Sequence, residues 1–333
     1  MMISLRNDEL FVRVSSAGAE LRSVVRGGVE RMWCGDPAVW GRRAPLLFPL
    51  IGRLRDGWYA LDGKRIDAPT HGFCRDRAFD VEQVSDTEAR FATVSDERTR
   101  AVYPFDFRLT VRFALEGPTL VKTHEVENLG GAPMPFELGG HEAYATLLLP
   151  NERMADYFVR FEGVGAKGLE MFGMDEAGIL TLPKTAVPLE DGCLTKTPEE
   201  LGIDTIVLEN VPNSAVALAS ATNSCEVRVE FPDFPYLGIW TKAGRETPAT
   251  CASSRGRRWP TRGSPRESWR KSPACACWSR ASASSFRTGW SFGRGCQDYA
   301  PCLGCVKERV CERHRGSDGE RHSPVVRMEA ESG

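Results

Sequence analysis

The chain has 333 residues, a formal net charge of −2 at pH 7 and a hydrophobic share of 41%. This length allows one large domain or two of ordinary size. Because the net charge is close to zero, the composition gives no reason to expect binding to nucleic acid or to an anionic membrane. No run is long and apolar enough to cross a bilayer and the N-terminus lacks an apolar signal core, so we expect a cytoplasmic protein.

Short segments rich in β-branched and aromatic residues follow one another from residue 3 to residue 242. Most alternate apolar and polar residues, and Gly, Pro, Asn and Asp separate them, which is the pattern of strands joined by turns. One segment, 58–66, has Asp62-Gly63 at its centre and predicts a tight hairpin. The other predicted strands are 10–14, 19–25, 79–84, 89–94, 107–115, 120–128, 157–161, 205–208, 215–218 and 225–231.

These segments predict an all-β fold, because convincing helical periodicity is absent. Many short strands at regular spacing are typical of a large antiparallel β-sandwich or a barrel. A single domain of this kind can hold about 250 residues. We therefore predict one β domain over residues 1–248.

The composition changes abruptly after residue 248. Residues 249–333 are dense in Arg, Ser, Cys and Gly, show no strand alternation and contain seven of the 11 cysteines. Cys302 and Cys305 form a CxxC pair, but no second pair with the spacing of zinc ligands follows. We expect no metal site and a disordered C-terminal tail.

Two histidines stand beside glycines. His141 follows Gly139-Gly140 directly, and His71 precedes Gly72. Glycine lets the backbone approach another group closely, and histidine can give or take a proton near neutral pH. The pattern is compatible with a catalytic histidine at a pocket, and also with a structural histidine at a Gly-Gly turn.

Five stretches stand in a fixed order along the chain: Ala44–Leu54, His71–Arg75, Tyr103–Phe107, Gly139–His141 and Phe234–Thr241. Together they resemble the aldose 1-epimerase (galactose mutarotase) superfamily, and most closely its short bacterial branch. The resemblance covers residues 3–248 and implies a galactose mutarotase-like supersandwich, in agreement with the strand pattern.

The resemblance implies an isomerase that interconverts the α and β anomers of a hexose or hexose phosphate by opening the ring. A base takes the proton of the anomeric hydroxyl and an acid protonates the ring oxygen. Only protons move, so no cofactor is expected. His141 would be the general acid, the partner is a small-molecule sugar, and the oligomeric state stays open.

The resemblance also implies contacts to the sugar. His71 would hydrogen-bond the sugar and add positive character, and Asp204 would accept from ring hydroxyls. Arg53 and Arg75 would clamp hydroxyls or a phosphate. Trp240 would offer an apolar face to the ring. Three of these residues have a structural alternative: Asp204 begins a strand, Arg53 is an ion-pair partner, and Trp240 belongs to the core.

The chain departs from the family in two places. Glu142 stands where the family usually has proline, and no Glu-Pro-Trp motif, which carries the family's catalytic glutamate, follows Trp240. A shifted reading frame joins the third base of each codon from Ala249 onward to the first two bases of the next codon. Its translation can contain Val-Glu-Pro-Trp, with the glutamate codon straddling Ser253 and Ser254. A second family pattern, Lys-Pro-Gly-Met-x-Leu-Leu-Glu-Pro-Gly-Glu, is permitted over 271–282 in the same frame.

We therefore hypothesise a frameshift near Pro248, which makes residues 249–333 an out-of-frame translation and impairs catalysis through loss of the base. Three alternatives stay open. The tail is an evolved disordered segment, the protein is a non-catalytic carbohydrate-binding domain, or it is a non-functional product whose uncovered sheet edges favour aggregation.

Overall fold

The computed structural model describes residues 1–149, 151–166 and 168–242 in full. Beyond these it describes the backbone of 250–255, 276–278 and 283–292, and the side chain of Trp290. All of these residues belong to one unit, Met1–Ala300. Within them no helix has the length and apolar character that a membrane span requires.

Strands make up most of the regular structure. In chain order they are β1 (Met2–Arg6), β2 (Phe11–Ser15), β3 (Glu20–Arg26), β4 (Val29–Glu30), β5 (Leu46–Leu47), β6 (Trp58–Leu61), β7 (Lys64–Asp67), β8 (Asp80–Gln83), β9 (Glu88–Val94), β10 (Phe107–Glu116), β11 (Thr119–Asn128), β12 (Met134–Phe136), β13 (Leu138–Gly140), β14 (Glu142–Ala143), β15 (Tyr157–Phe161), β16 (Glu170–Met174), β17 (Leu180–Ala186), β18 (Cys193–Leu194), β19 (Thr205–Glu209), β20 (Ala215–Ser220), β21 (Val227–Glu230), β22 (Tyr236–Trp240), β23 (Thr250–Arg255), β24 (Ala276–Trp278) and β25 (Ala283–Phe292). The helices are α1 (Glu97–Val102) and single 3-10 turns at Cys74–Asp76, Met154–Asp156, Glu199–Leu201 and Pro212–Ser214.

Two large antiparallel sheets dominate the described part of the chain. The nine-stranded sheet has the order β18-β15-β20-β21-β25-β11-β10-β9-β8. The eight-stranded sheet has the order β17-β16-β19-β22-β23-β13-β5, with β14 paired to β23. Smaller sheets are formed by β1–β4, by the β6-β7 hairpin and by β12 with β24.

Apolar alternation explains why these segments pair as they do. Along β10 every second side chain from Phe107 to Leu115 is buried, and the residues between them are mostly exposed or half-buried. One face of the strand is therefore available for a core. A single hydrophobic cluster contains Val111 and Phe113 of the nine-stranded sheet and Ile206 and Leu237 of the eight-stranded sheet. The two sheets thus share one core, as in a sandwich.

The structure confirms the all-β prediction and most predicted strands. The hairpin at Asp62-Gly63 forms with Leu61 opposite Lys64, and β15 has the predicted bounds. The short helix α1 was not predicted. Asp96 accepts a hydrogen bond from the amide of Thr99, whose hydroxyl accepts one from the amide of Asp96. This reciprocal cap between Asp96 and Thr99, three residues apart, is the local signal that would have found it.

Three described strands, β23, β24 and β25, lie beyond residue 248 in the segment for which we expected a disordered tail. The predicted boundary itself falls in 243–249, outside the described residues. Backbone pairing holds these strands: β25 lies between β21 and β11, and β23 lies between β22 and β13. Ladder hydrogen bonds use main-chain groups alone, so the absence of side-chain alternation did not exclude these strands.

Candidate active site

A cleft of about 320 Å³ opens on one face of the eight-stranded sheet. Tyr236, Gly238 and Trp240 of β22 line it, whereas Leu237 and Ile239 between them are buried in the core. The period-2 alternation of a strand produces this division into a cleft face and a core face. A volume of this size falls at the lower end of the range of small-molecule sites.

The segment around β13 follows the same rule. Glu137 and His141 line the cleft, and Leu138 is fully buried in the core. Glu137 is only 7% exposed, and its Oε2 accepts a 2.7 Å hydrogen bond from the amide of Ile51. The predicted Gly-Gly-His stretch therefore brings a carboxylate into the cleft as well as a histidine.

His71 reaches the cleft through an unusual backbone conformation. Its φ is +64° and that of Gly72 is +68°, both in the left-handed region that few residues adopt. Two hydrogen bonds to Gly52 hold His71 in place. The His71 amide donates to the Gly52 carbonyl at 2.7 Å, and the Gly52 amide donates to His71 Nδ1 at 2.8 Å.

The second of these hydrogen bonds determines the tautomer of His71. Because Nδ1 accepts from a backbone amide, it carries no proton, and the ring proton lies on Nε2. The ring is then neutral, and Nε2–H can donate to a ligand in the cleft. This hydrogen bond does not support the positive character that we expected of His71, because an imidazolium could not accept it.

His141 lies within a cluster of aromatic rings. Its ring centroid is 5.1 Å from that of Trp40, 5.8 Å from that of His71 and 6.2 Å from that of Trp240. Nδ1 of His141 is buried and makes no hydrogen bond to another described residue. The cluster encloses the imidazole while the residue as a whole stays half-buried at the cleft.

Burial in this cluster is the main influence on the protonation of His141. It lowers the pKa of the imidazole below the ordinary value of 6.5. The carboxylate of Glu142 acts in the opposite direction and raises the pKa, and Arg75 adds a smaller lowering.

This lowered pKa predicts how stability depends on pH. The unfolded chain binds a proton at His141 more readily than the folded chain, so protonation favours unfolding. The contribution is fully present above about pH 6.5 and is lost as the pH falls through the lowered pKa of His141. Urea unfolding at pH 7 and at about pH 5.5 should show a smaller loss of stability in His141→Gln than in the unsubstituted chain. Equal losses in both proteins would contradict the prediction.

The structure brings five of the six predicted site residues to this cleft: Arg53, His71, His141, Asp204 and Trp240. Arg53 is exposed and makes no hydrogen bond or ion pair with a described residue, which does not support the structural alternative. Asp204 is exposed, directly precedes β19 and accepts from the Thr205 hydroxyl at 3.1 Å. Asp204 therefore lies at the start of a strand and also lines the cleft, and its contact with a sugar stays a prediction.

Arg75 is the exception, since it lies outside the cleft lining. Its Nη2 donates to the carbonyl of Thr70 at 2.8 Å, and its Nε lies 3.6 Å from the carboxylate of Asp76. The guanidinium therefore supports the segment that carries Thr70, a residue of the lining, and does not itself face the cleft.

Trp40 and Glu137 were missed as site residues. Trp40 packs against both His141 and Trp240 with tilted rings, at centroid distances of 5.1 and 5.7 Å. The indole of Trp33 donates to its carbonyl at 2.8 Å and so anchors the loop. No sequence spacing links Trp40 to a residue 101 positions later, so only the tertiary structure could identify it.

The backbone of β23 pairs with two strands beside the cleft, β22 and β13. Ser254 pairs with Tyr236 of β22 and with Gly139 of β13, whereas Ser253 pairs with Leu237. Directly opposite residues of an antiparallel pair share a face, so Ser254 occupies a cleft-face position and Ser253 a core-face position. The sequence of β23, TCASSR, contains no carboxylate.

Metal binding finds no support in the described part of the chain, where no cluster of three or more His, Cys, Asp or Glu side chains has the geometry of a metal site. The CxxC pair of the tail lies outside the described residues. The imidazoles and carboxylates of the lining are side chains that can transfer protons and form hydrogen bonds.

Comparison with known proteins agrees with this geometry. The family model described as aldose 1-epimerase matches residues 1–276. The chromosomal form of a protein named LacX from Lactococcus lactis subsp. lactis is 29% identical over 255 residues, which are 74% of this chain and 84% of LacX. The plasmid form is 29% identical over 253 residues, with the same coverage.

Solved structures show the same fold. A galactose mutarotase-like protein from Lactobacillus casei superposes with a TM-score of 0.81 at 28% identity, covering 88% of this chain and 100% of that protein. A galactose mutarotase related enzyme from Lactobacillus acidophilus gives 0.82 at 24% identity, covering 90% and 100%. The family model, the shared fold and the resemblance of the motifs agree, and the chain belongs to the aldose 1-epimerase family.

Proposed function

We propose that this cleft opens and recloses the ring of a small aldose and so interconverts its α and β anomers. The observation that carries the proposal is the contact of His141 with His71 and Trp240 inside one sugar-sized cleft. Two imidazoles beside an aromatic surface suit a ligand that offers ring oxygens on its edge and C–H groups on its face.

Each cleft residue has a role that its environment supports. His141 donates a proton to the ring oxygen as general acid, and the neutral His71 donates a hydrogen bond from Nε2. Asp204 accepts from ring hydroxyls, Arg53 donates to them, and Trp240 packs against the apolar face of the ring. No cofactor enters this scheme, because ring opening and closure move only protons.

The general base of the family motif has no counterpart in the sequence of β23. The family motif places a glutamate soon after the strand of Trp240, and in this chain that strand is followed by β23, which has no carboxylate. The shifted frame offers a glutamate codon across Ser253 and Ser254, and the register puts Ser254 on the cleft face. We therefore propose that a frameshift near Pro248 removed the base and left an impaired enzyme.

The charges of the cleft favour an unphosphorylated sugar. Among the described lining residues, Glu137 and Asp204 are carboxylates, and Arg53 is the one guanidinium. Arg55, which is close in sequence, is bound to Asp175 at 3.0 Å. A phosphate with nearly two negative charges would meet more negative than positive charge in this cleft.

The proposal is tested by measuring the exchange of a free hexose between its anomers with polarimetry and with saturation-transfer NMR. We expect the chain to accelerate exchange measurably above the uncatalysed rate, because the acid remains, and to accelerate the free hexose more than its 6-phosphate. A rate equal to the uncatalysed one, with no saturation transfer from protein to sugar, would overturn it. Faster exchange of the phosphate would overturn the inferred substrate class alone.

A non-catalytic sugar-binding domain is the second candidate, and the missing carboxylate of β23 favours it. It predicts saturation transfer from protein to a free hexose without any acceleration of anomer exchange. The same pair of measurements therefore separates the two functions.

A further inference from the structure

Beneath the cleft, a lysine and a glutamate form an ion pair inside the core. Lys122 of β11 is 0% exposed and Glu142 of β14 is 2% exposed. Lys122 Nζ donates to Glu142 Oε1 at 3.0 Å. β11 belongs to the nine-stranded sheet and β14 pairs with the eight-stranded sheet, so this ion pair joins the two layers of the sandwich.

A buried ion pair of this kind is not explained by stability alone. Removing two charges from water is costly, and two apolar side chains of similar size often replace such a pair without loss. A hydrophobic core that is continuous across both sheets surrounds the pair. Glu142 directly follows His141 in sequence, which points to a role in the cleft.

The carboxylate is folded back against the backbone that carries His141. A Cβ on Gly140 would lie 2.6 Å from Glu142 Oε2 and 2.7 Å from Oε1, so only glycine leaves room for this arrangement. His141 faces the cleft and Glu142 faces the core, on opposite sides of the same extended segment. Gly140, the second glycine of Gly-Gly-His, thus leaves the space that the Glu142 carboxylate occupies.

We propose that Glu142, held by Lys122, is a positioning residue that places a fixed negative charge behind His141 and stabilises its protonated form. Lys122 donates a hydrogen bond to the carboxylate and holds it in one orientation. Gly140 brings the carboxylate close to the backbone of His141. The proposal rests on the proposed function in one respect: a protonated His141 is needed to donate a proton to the sugar.

The electrostatics of His141 support this assignment. Burial lowers its pKa, and the Glu142 carboxylate raises it, while Arg75 lowers it further. The other groups that face His141 from neighbouring elements are the neutral ring of His71 and, across the cleft, Glu137, Asp204 and Arg53. Glu142 is the carboxylate that opposes the effect of burial from the core side.

Three variants of the full-length chain test the proposal by NMR titration of the His141 ring, assigned with His141→Gln. Glu142→Gln removes the charge and keeps the shape. Lys122→Met with Glu142→Met removes both charges together and fills the space with apolar side chains. Glu88→Gln is the control, because it breaks the Arg112–Glu88 ion pair of the nine-stranded sheet, which lies outside the cleft lining.

We expect the His141 titration to move to lower pH in Glu142→Gln and in the double variant, and to stay in place in Glu88→Gln. The double variant should recover the thermal stability that Glu142→Gln loses. Its His141 titration should nevertheless stay at lower pH. A change in the titration without a loss of stability distinguishes a positioning role from a merely structural one. If Glu142→Gln does not fold, the double variant alone tests the proposal. A titration that is unchanged in the double variant would overturn the proposal.

The titration needs no substrate, so its result stands even if the proposed mutarotase function fails. If the chain does accelerate anomer exchange, the pH at which the rate falls on the alkaline side should move to lower pH in the same variants as the His141 titration.

Discussion

Ser254→Glu should raise the rate of anomer exchange by this chain by about 10²–10⁴-fold, the contribution typical of a positioned general base or acid. Ser254 pairs with Gly139 and with Tyr236, and Tyr236 lines the cleft that contains His141. We expect a carboxylate at this cleft-face position to supply the base that the family motif carries after the strand of Trp240.

Ser254→Gln is the matched control, because the amide has nearly the same shape and cannot take a proton. Its exchange rate should equal that of the unsubstituted chain, measured by saturation-transfer NMR on a free hexose. Equal rates in the glutamate and glutamine variants would contradict both the placement of the base and the frameshift hypothesis that led to it.

Ser253→Glu distinguishes the two positions that the shifted codon straddles. Ser253 pairs with Leu237, which is 0% exposed, and therefore stands on the core face of the sheet. A carboxylate there would have to be buried without a partner, so we expect a destabilised chain and no gain in rate.

Gly72→Ala should lower the free energy of unfolding by about 2–5 kcal/mol, the sum of a left-handed alanine and an overpacked contact. A Cβ on Gly72 would lie 2.1 Å from the carbonyl oxygen of Phe48 and 2.7 Å from the nitrogen of Pro49. These are backbone atoms, which cannot move aside as a flexible side chain can. Because Phe73 and Cys74 both donate to that carbonyl, the whole segment after His71 would have to shift.

Gly63→Ala separates the backbone cost of Gly72→Ala from the cost of its contact with Phe48. Gly63 has a similar φ of +78°, but a Cβ there would meet no atom within 4 Å. The control should therefore cost only the backbone share, about 1–2 kcal/mol. Equilibrium urea unfolding gives both values, and equal losses in the two variants would show that the Phe48 contact is unimportant.

Sequence alone determined the class of fold and the location of most strands. Period-2 alternation, as in Phe107–Glu116, specifies which face of a strand is buried, and Asp62-Gly63 specifies a hairpin, because both signals are local. The order of five motifs was also sufficient to indicate the family, which the family model over residues 1–276 confirms.

The candidate site was predictable only in part, because most of its constraints are not local. His141 and Trp240 stand at strand ends within motifs, so a pattern could identify them. Trp40 belongs to a loop with no recognisable motif, and folding alone brings it within 5.1 Å of His141. Arg75 has a motif but faces away from the lining, because its guanidinium hydrogen-bonds the carbonyl of Thr70.

Tertiary structure alone decided the protonation and the electrostatic surroundings of the two histidines. The tautomer of His71 follows from one amide, that of Gly52, and the charge behind His141 follows from the meeting of Lys122 with Glu142 across two sheets. Both depend on distances of about 3 Å between residues 19 or 20 positions apart in sequence. The sequence determined which strands exist and which of their faces are apolar, because those are local properties of the chain. The chemistry of the cleft was decided by packing, since it arises where the two sheets and their loops come together.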